Sequence, residues 1–186
     1  HRSVRTIEAI ENFVALDVGG GSVQVSWSGN VGDSLSFELG TYALEHKYQD
    51  DRAIAVGPGS VAWDQMVNAV KDACLSLPHV PPECDTLVVG SNIMKDFFDA
   101  VSRKLLASER PHDGGMDQKD ILTIASALGG KRYQDCYVLF PQAEGFTHGA
   151  ATMLSVLFAV LQIRQFPRLL PLNAPVRNDS RPLLFD

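Results

Sequence analysis

Asp17 stands at the end of a short apolar run, and Gly19, Gly20, Gly21 and Ser22 follow it in the stretch "FVALDVGGGSVQVSW". Three glycines weaken a hairpin, because each loses more backbone freedom than any other residue and brings no side chain to pack. Their chemical use is access. Amides with no Cβ in the way form a concave anion site, and Ser22 adds a hydroxyl donor. Gly19 to Gly21 can also take positive φ without strain. A carboxylate at Asp17 can hold a Mg²⁺ ion or orient a water beside a phosphate bound there. The plain alternative is a tight hairpin that needs glycine only for its turn. Two glycines suffice for that, and the third points to a ligand.

Other nucleotide and hydrolase frames do not fit. No Gly-Lys-Ser/Thr follows the glycines, and the run leads into a strand rather than the helix a dinucleotide fingerprint opens. Ser22 lies outside any G-x-S-x-G frame. Glu144 and His148 are four apart in "EGFTHGAA" and share a face if the helix has already begun. Nothing else near them has metal spacing, so a polar first turn is the better reading. Glu45, His46 and Lys47 read as a solvated face. Asp113 and Asp117 lack calcium-loop spacing, and Asp117 reads as a helix cap.

The elements that must carry these residues begin with strands. Phe13–Leu16 is buried; Val23, Val25 and Trp27 alternate with polar residues; Leu35, Phe37 and Leu39 repeat the pattern. Together they predict an antiparallel meander opened by the glycine hairpin. From Tyr42 the period turns helical. "GSVAWDQMVNAVKDACLSL" predicts a helix with Ser60 as its N-cap, ended by "HVPPECD". "TLVVGSN" reads as a strand and "IMKDFFDAVSRKLLASER" as a helix. "QKDILTIASALG" is a helix capped by Asp117, "CYVLF" a short strand, and "EGFTHGAATMLSVLFAVLQI" holds the last long helix. The order predicts an α/β domain whose mixed sheet is antiparallel at its start and helix-connected later, with helices on its faces. Residues 1–164 are expected to form the domain, and residues 165–186 a C-terminal tail or arm.

The 186 residues carry a net charge of −6 with scattered lysines and arginines, which excludes nucleic acid as the main partner. No run reaches the roughly 18 to 20 apolar residues of a membrane span, and Gly149–Ile163 falls short. Three cysteines without metal spacing read as reduced thiols, which points to the cytoplasm. The N-terminus lacks a signal peptide's apolar run. It opens on His rather than Met, so the chain is expected to be a fragment or a processed form.

"ALDVGGGSVQVSW" followed by "SLSFELGTYALEHKY" resembles the second phosphate-binding segment of the exopolyphosphatase/guanosine pentaphosphatase family. That family carries D-[IV]-G-G-G-S-T-E-[LI] and then a serine-containing strand leading into L-G-x-x-x-L. Asp17 to Ser22 match residue for residue, Gly40 and Leu44 fit the second segment, and Val23 and Gln24 replace Thr and Glu. The likeness is strong from Ala15 to Tyr48 and faint through "LVVGSN". It implies the actin-like ATPase fold, two ribonuclease-H-like domains facing across a phosphate-binding cleft, of which this chain would be the second. It further implies phosphoanhydride hydrolysis with Mg²⁺, acting on polyphosphate or guanosine pentaphosphate. Gly19 to Ser22, with Gly90 and Ser91, would bind phosphate, and Asp17 would serve as the catalytic and metal-holding carboxylate. Three departures stand out. The second glycine-rich segment is reduced to Gly90-Ser91-Asn92, the first domain is missing, and so is the upstream segment that carries the family's glutamate base. Apyrases have a similar loop with a glutamine where Gln24 lies, but their disulfides do not suit this cysteine pattern. The competing expectation is a degenerate, non-catalytic member acting as a structural or interaction subunit. A missing wall of the cleft also implies a second domain or chain. The apolar Gly149–Ile163 helix with "RQFPRLLPL" is expected to supply the docking face, so that the chain oligomerises.

Overall fold

The computed structural model describes residues 12–27, 35–75, 82–90, 104–105, 115–140, 147–164 and 166–171. Strand β1 (Phe13–Val18) pairs antiparallel with β2 (Val23–Trp27), which pairs antiparallel with β3 (Leu35–Phe37). On its other side β1 runs parallel to β4 (Thr86–Gly90), and β4 parallel to β5 (Leu169–Pro171). The sheet order is β3-β2-β1-β4-β5. This is the predicted meander continued by parallel strands, and the two parallel pairs require helical crossovers.

Pleating sorts each strand into two rows. Val14, Leu16 and Val18 lie abreast of Trp27, Val25 and Val23, and Leu87 and Val89 continue those rows across β4. All eight belong to the main core. The opposite face is also closed at its centre, where Ala15, Ser26 and Val88 are buried.

Five helices are described. They are α1 (Thr41–Tyr48), α2 (Val61–Leu75), α3 (Gln118–Leu128), α4 (Tyr133–Leu139) and α5 (Thr147–Arg164). α2 and α3 start at the predicted caps. The Ser60 hydroxyl accepts from the Trp63 amide at 3.2 Å. Asp117 and Asp120 form a reciprocal capping box, at 2.8 and 3.1 Å.

α5 is the axis of the domain and packs against α1, α2, α3 and α4. Every residue from Ala150 to Leu157 is fully buried, polar Thr152 and Ser155 included. The apolar surface expected to dock a partner is therefore spent inside the domain. A helix apolar on all sides is a core helix. Among the described residues no helix is long and apolar enough to cross a membrane.

Two expectations change. Cys136–Phe140 is not a strand, because it lies in α4 and its C-terminal cap, with Tyr133, Cys136 and Phe140 turned into the core and Val138 exposed. A short apolar run has no period that separates strand from helix, and the i, i+3, i+7 spacing decides it. The tail from Gln165 contributes β5 at the sheet edge, where Leu169 exchanges backbone hydrogen bonds with Met116 at 2.8 and 3.0 Å. The helix expected at "IMKDFFDAVSRKLLASER" falls outside the described residues, except for helical Lys104 and Leu105. The three cysteines are thiols, not joined in disulfides.

Candidate functional site

The glycine turn joins β1 to β2, and it is closed by the Gly19 amide donating to the Ser22 carbonyl at 2.9 Å. Its carbonyls do a second job. Thr41 donates its amide to Gly19 O at 3.0 Å, Tyr42 and Ala43 donate to Gly20 O at 2.8 and 3.2 Å, and Gly40 donates to Gly21 O at 3.3 Å. The first amides of a helix lack intrahelical acceptors and ordinarily find a side-chain cap. Here the N-cap is Gly40, which has no side chain, and the loop's backbone takes that role.

That arrangement fixes where the loop's own amides point. In a planar trans peptide the C=O and the following N–H are antiparallel, and among the described residues no peptide bond is cis. Because the carbonyls of Gly19, Gly20 and Gly21 face α1, the N–H groups of Gly20, Gly21 and Ser22 point away from it. Among the described residues none of those three amides donates to a backbone carbonyl. Gly19 to Gly21 are exposed and Ser22 is half-buried. Successive amides turned to one side in this way make an anion-binding concavity.

The glycines are not explained by backbone shape. None of Gly19, Gly20 and Gly21 has a positive φ, so the left-handed conformations open to glycine are not used. A Cβ on Gly21 would meet nothing within 4 Å, and one on Gly20 would make ordinary contact with the Tyr42 Cβ at 3.9 Å. Neither geometry nor packing demands glycine at these two positions. What their lack of a side chain preserves is close approach to the amides.

Asp17 is the penultimate residue of β1, one rung before this loop on the β2 side and on the last rung shared with β4. It lies directly across from Gln24 on β2 and from Gly90 on β4. Cross-strand partners share a face, and Asp17 and Gln24 are both exposed. The row lies at the carboxyl ends of the two parallel strands, where sheets of this kind bind ligands. The structure thus brings Asp17, Gly19 to Ser22 and Gly90 to one sheet end. Ser91, also expected to bind phosphate, and Glu144 fall outside the described residues, as does the side chain of His148. Among the described residues no three His, Cys, Asp or Glu side chains converge as a metal site. A single carboxylate at a phosphate site still suits Mg²⁺, which takes one or two carboxylates and fills its shell with water and phosphate oxygens.

Sequence reading misplaced one neighbour of the site. Glu45, expected on a solvated face with His46 and Lys47, is only 8% exposed. Its Oε1 accepts from the Thr152 hydroxyl of α5 at 2.7 Å and from the Tyr133 hydroxyl of α4 at 3.5 Å. His46 and Lys47 are exposed as expected.

Solved structures share this fold. Over 91% of its length the chain superposes on 56% of the type II variant of the Aquifex aeolicus Ppx/GppA phosphatase, with a TM-score of 0.70 and 14% identity. The chain has the fold of the Ppx/GppA phosphatases. An exopolyphosphatase from Cytophaga hutchinsonii is similar over 91% of this chain and 56% of its own, with a TM-score of 0.62 and 14% identity. An exopolyphosphatase-like protein is similar over 86% and 55%, with a TM-score of 0.61 and 13% identity. The chain therefore spans little more than half the length of these Ppx/GppA-type structures. Neither a family model nor a curated protein matches the sequence. The actin-like fold implied by the "DVGGGS" segment is thus the fold observed, at an identity where sequence alone says little.

Proposed function

We propose that the chain is the phosphate-binding half of a phosphoanhydride hydrolase. One observation carries the reading: three glycine-loop amides turned outward together, beside an exposed carboxylate, in a loop where neither packing nor backbone shape requires glycine at 20 or 21. The amides of Gly20, Gly21 and Ser22 would hold the oxygens of a terminal phosphate, with the Ser22 hydroxyl and the Gly90–Ser91 turn beside them. Asp17 would orient the attacking water and hold Mg²⁺. The ion, when bound, would neutralise phosphate charge. Phosphoryl transfer to water asks for positioning and charge stabilisation rather than covalent chemistry, and a rigid amide row supplies both.

Similar structures carry the names exopolyphosphatase and Ppx/GppA phosphatase, which makes polyphosphate and guanosine pentaphosphate the substrates to try first. Those structures are nearly twice as long as the matched region, so the opposing wall of the cleft, and a general base, would come from another domain or another chain. A second reading, a non-catalytic subunit that keeps the fold, is favoured by Gln24. It is exposed and lies across from Asp17, and a carboxamide can orient a water but cannot take its proton.

Phosphate release from polyphosphate, measured on the full-length protein with Mg²⁺, separates the two. The hydrolase reading expects release that falls by about two orders of magnitude in Asp17→Ala. Phosphate binding without release would leave the second reading standing.

A further inference from the structure

Thr41, Leu44 and Glu45 are buried and Tyr48 is half-buried, so α1 presents one stripe to the core at i, i+3, i+4 and i+7. A carboxylate in such a stripe is costly, and an apolar residue of the same size would serve stability as well or better. Among the described residues no cation pairs with Glu45. It is held instead by the Thr152 and Tyr133 hydroxyls. Burial, and then the charge of Glu45, keep the Tyr133 phenol well above its ordinary pKa, so it stays a donor. Thr152 is itself anchored, since its carbonyl accepts from the Ser155 hydroxyl at 2.6 Å.

Apolar contact is non-directional, whereas a short hydrogen bond fixes orientation. The bond from Thr152 therefore sets the rotation of α1 on α5 in a way that Leu44 cannot. That rotation matters at the other end of the helix, where the amides of Thr41, Tyr42 and Ala43 hold the carbonyls of Gly19 and Gly20. Turning the helix turns those peptide planes, and with them the outward amides of Gly20 and Gly21. We propose that Glu45 is a positioning residue for the glycine loop, its buried bond to Thr152 holding the amide row in the orientation that receives phosphate. This rests on the reading of the loop as a phosphate site.

The test uses the chain carrying Glu45→Leu, Glu45→Gln or Thr152→Val, with tripolyphosphate as the probe. Melting temperature, affinity and the amide resonances of Gly20, Gly21 and Ser22 are read for each. Glu45→Leu is expected to melt no lower than the parent while losing about fivefold or more in affinity, with the loop resonances displaced. Glu45→Gln, which keeps an acceptor for Thr152, is expected to stay within about twofold of the parent. Thr152→Val should reproduce the loss, and it carries the test if Glu45→Leu does not fold. Parent-like affinity and loop resonances in Glu45→Leu and Thr152→Val overturn the proposal alone. If the parent chain binds no tripolyphosphate, the phosphate reading falls and this proposal with it.

Discussion

Gly40 lies against the backbone of Ser22 so closely that a methyl group on it would overlap the Ser22 nitrogen and stand 2.5 Å from the carbonyl carbon and oxygen of Gly20. The residue that starts α1 is thus pressed onto the loop that its helix holds. Backbone cannot yield to a Cβ as a flexible side chain can. Gly40→Ala should therefore destabilise the domain by about 2 kcal/mol or more, as overpacking of a rigid contact does. It should also displace the amide row. Chemical denaturation and tripolyphosphate titration of the same variant check both effects.

A second glycine pair, Gly57 and Gly129, makes a similar contact between other elements. A Cβ on Gly129 would lie 2.7 Å from the Cα of Gly57, and one on Gly57 would overlap Gly129 in turn. The contact ties the loop before α2 to the C-terminus of α3, and the Gly129 amide also caps that helix through Ala125 O at 2.8 Å. Gly57→Ala is expected to cost about 1–3 kcal/mol and to leave phosphate affinity unchanged in the folded fraction. Urea unfolding followed by titration at low denaturant distinguishes this from the Gly40 effect.

Asp17 is exposed, so its replacement should not disturb the core. In Asp17→Asn the melting temperature should stay within about 2 °C of the parent, as for most surface changes. Any Mg²⁺-dependent part of tripolyphosphate binding should vanish. Calorimetric titrations with and without the ion read this directly, and an unchanged Mg²⁺ dependence would remove Asp17 from the metal-holding role.

Much of the sheet was legible because alternation fixes a face. Val23, Val25 and Trp27 could only pair with Val14, Leu16 and Val18 if both strands bury the same side. The caps at Ser60 and Asp117 were legible for a local reason too, since each side chain bonds backbone within its own first turn. What escaped notice depends on distant contacts. Glu45 reads as a surface residue among His46 and Lys47, and the hydroxyls that make its burial tenable, on Thr152 and Tyr133, lie far along the chain. The α4 segment was ambiguous for want of length, and β5 because three residues carry no period. The glycine loop stood out in composition, as three glycines in a row between two strands. The role of its carbonyls as a helix cap needed the neighbouring Gly40 in place.

Two buried groups give the stability a pH dependence. Burial raises the Cys136 thiol above its ordinary 9.0 and the Tyr133 phenol above its ordinary 10.0. Below about pH 8 both are protonated in the folded and unfolded chain alike, and neither moves the equilibrium. As pH climbs through those ordinary values, the unfolded chain sheds protons that the folded chain keeps. The folded state then loses stability, first through Cys136 and then through Tyr133. Urea midpoints should be level from these groups up to about pH 8 and fall above it, with the steeper part above pH 10 reduced in Tyr133→Phe.

The central claim is that the outward amides of Gly20, Gly21 and Ser22 receive phosphate. Gly21→Ala tests it most directly, because a Cβ there meets nothing within 4 Å and has no positive φ to strain against. The measurement is the dissociation constant of tripolyphosphate for the parent chain and for Gly21→Ala, beside the melting temperature of each. The account predicts binding to the parent, a loss of about tenfold or more in the variant, which is ~1.4 kcal/mol, and melting temperatures that agree within a few degrees. Equal affinity in the two chains would contradict it.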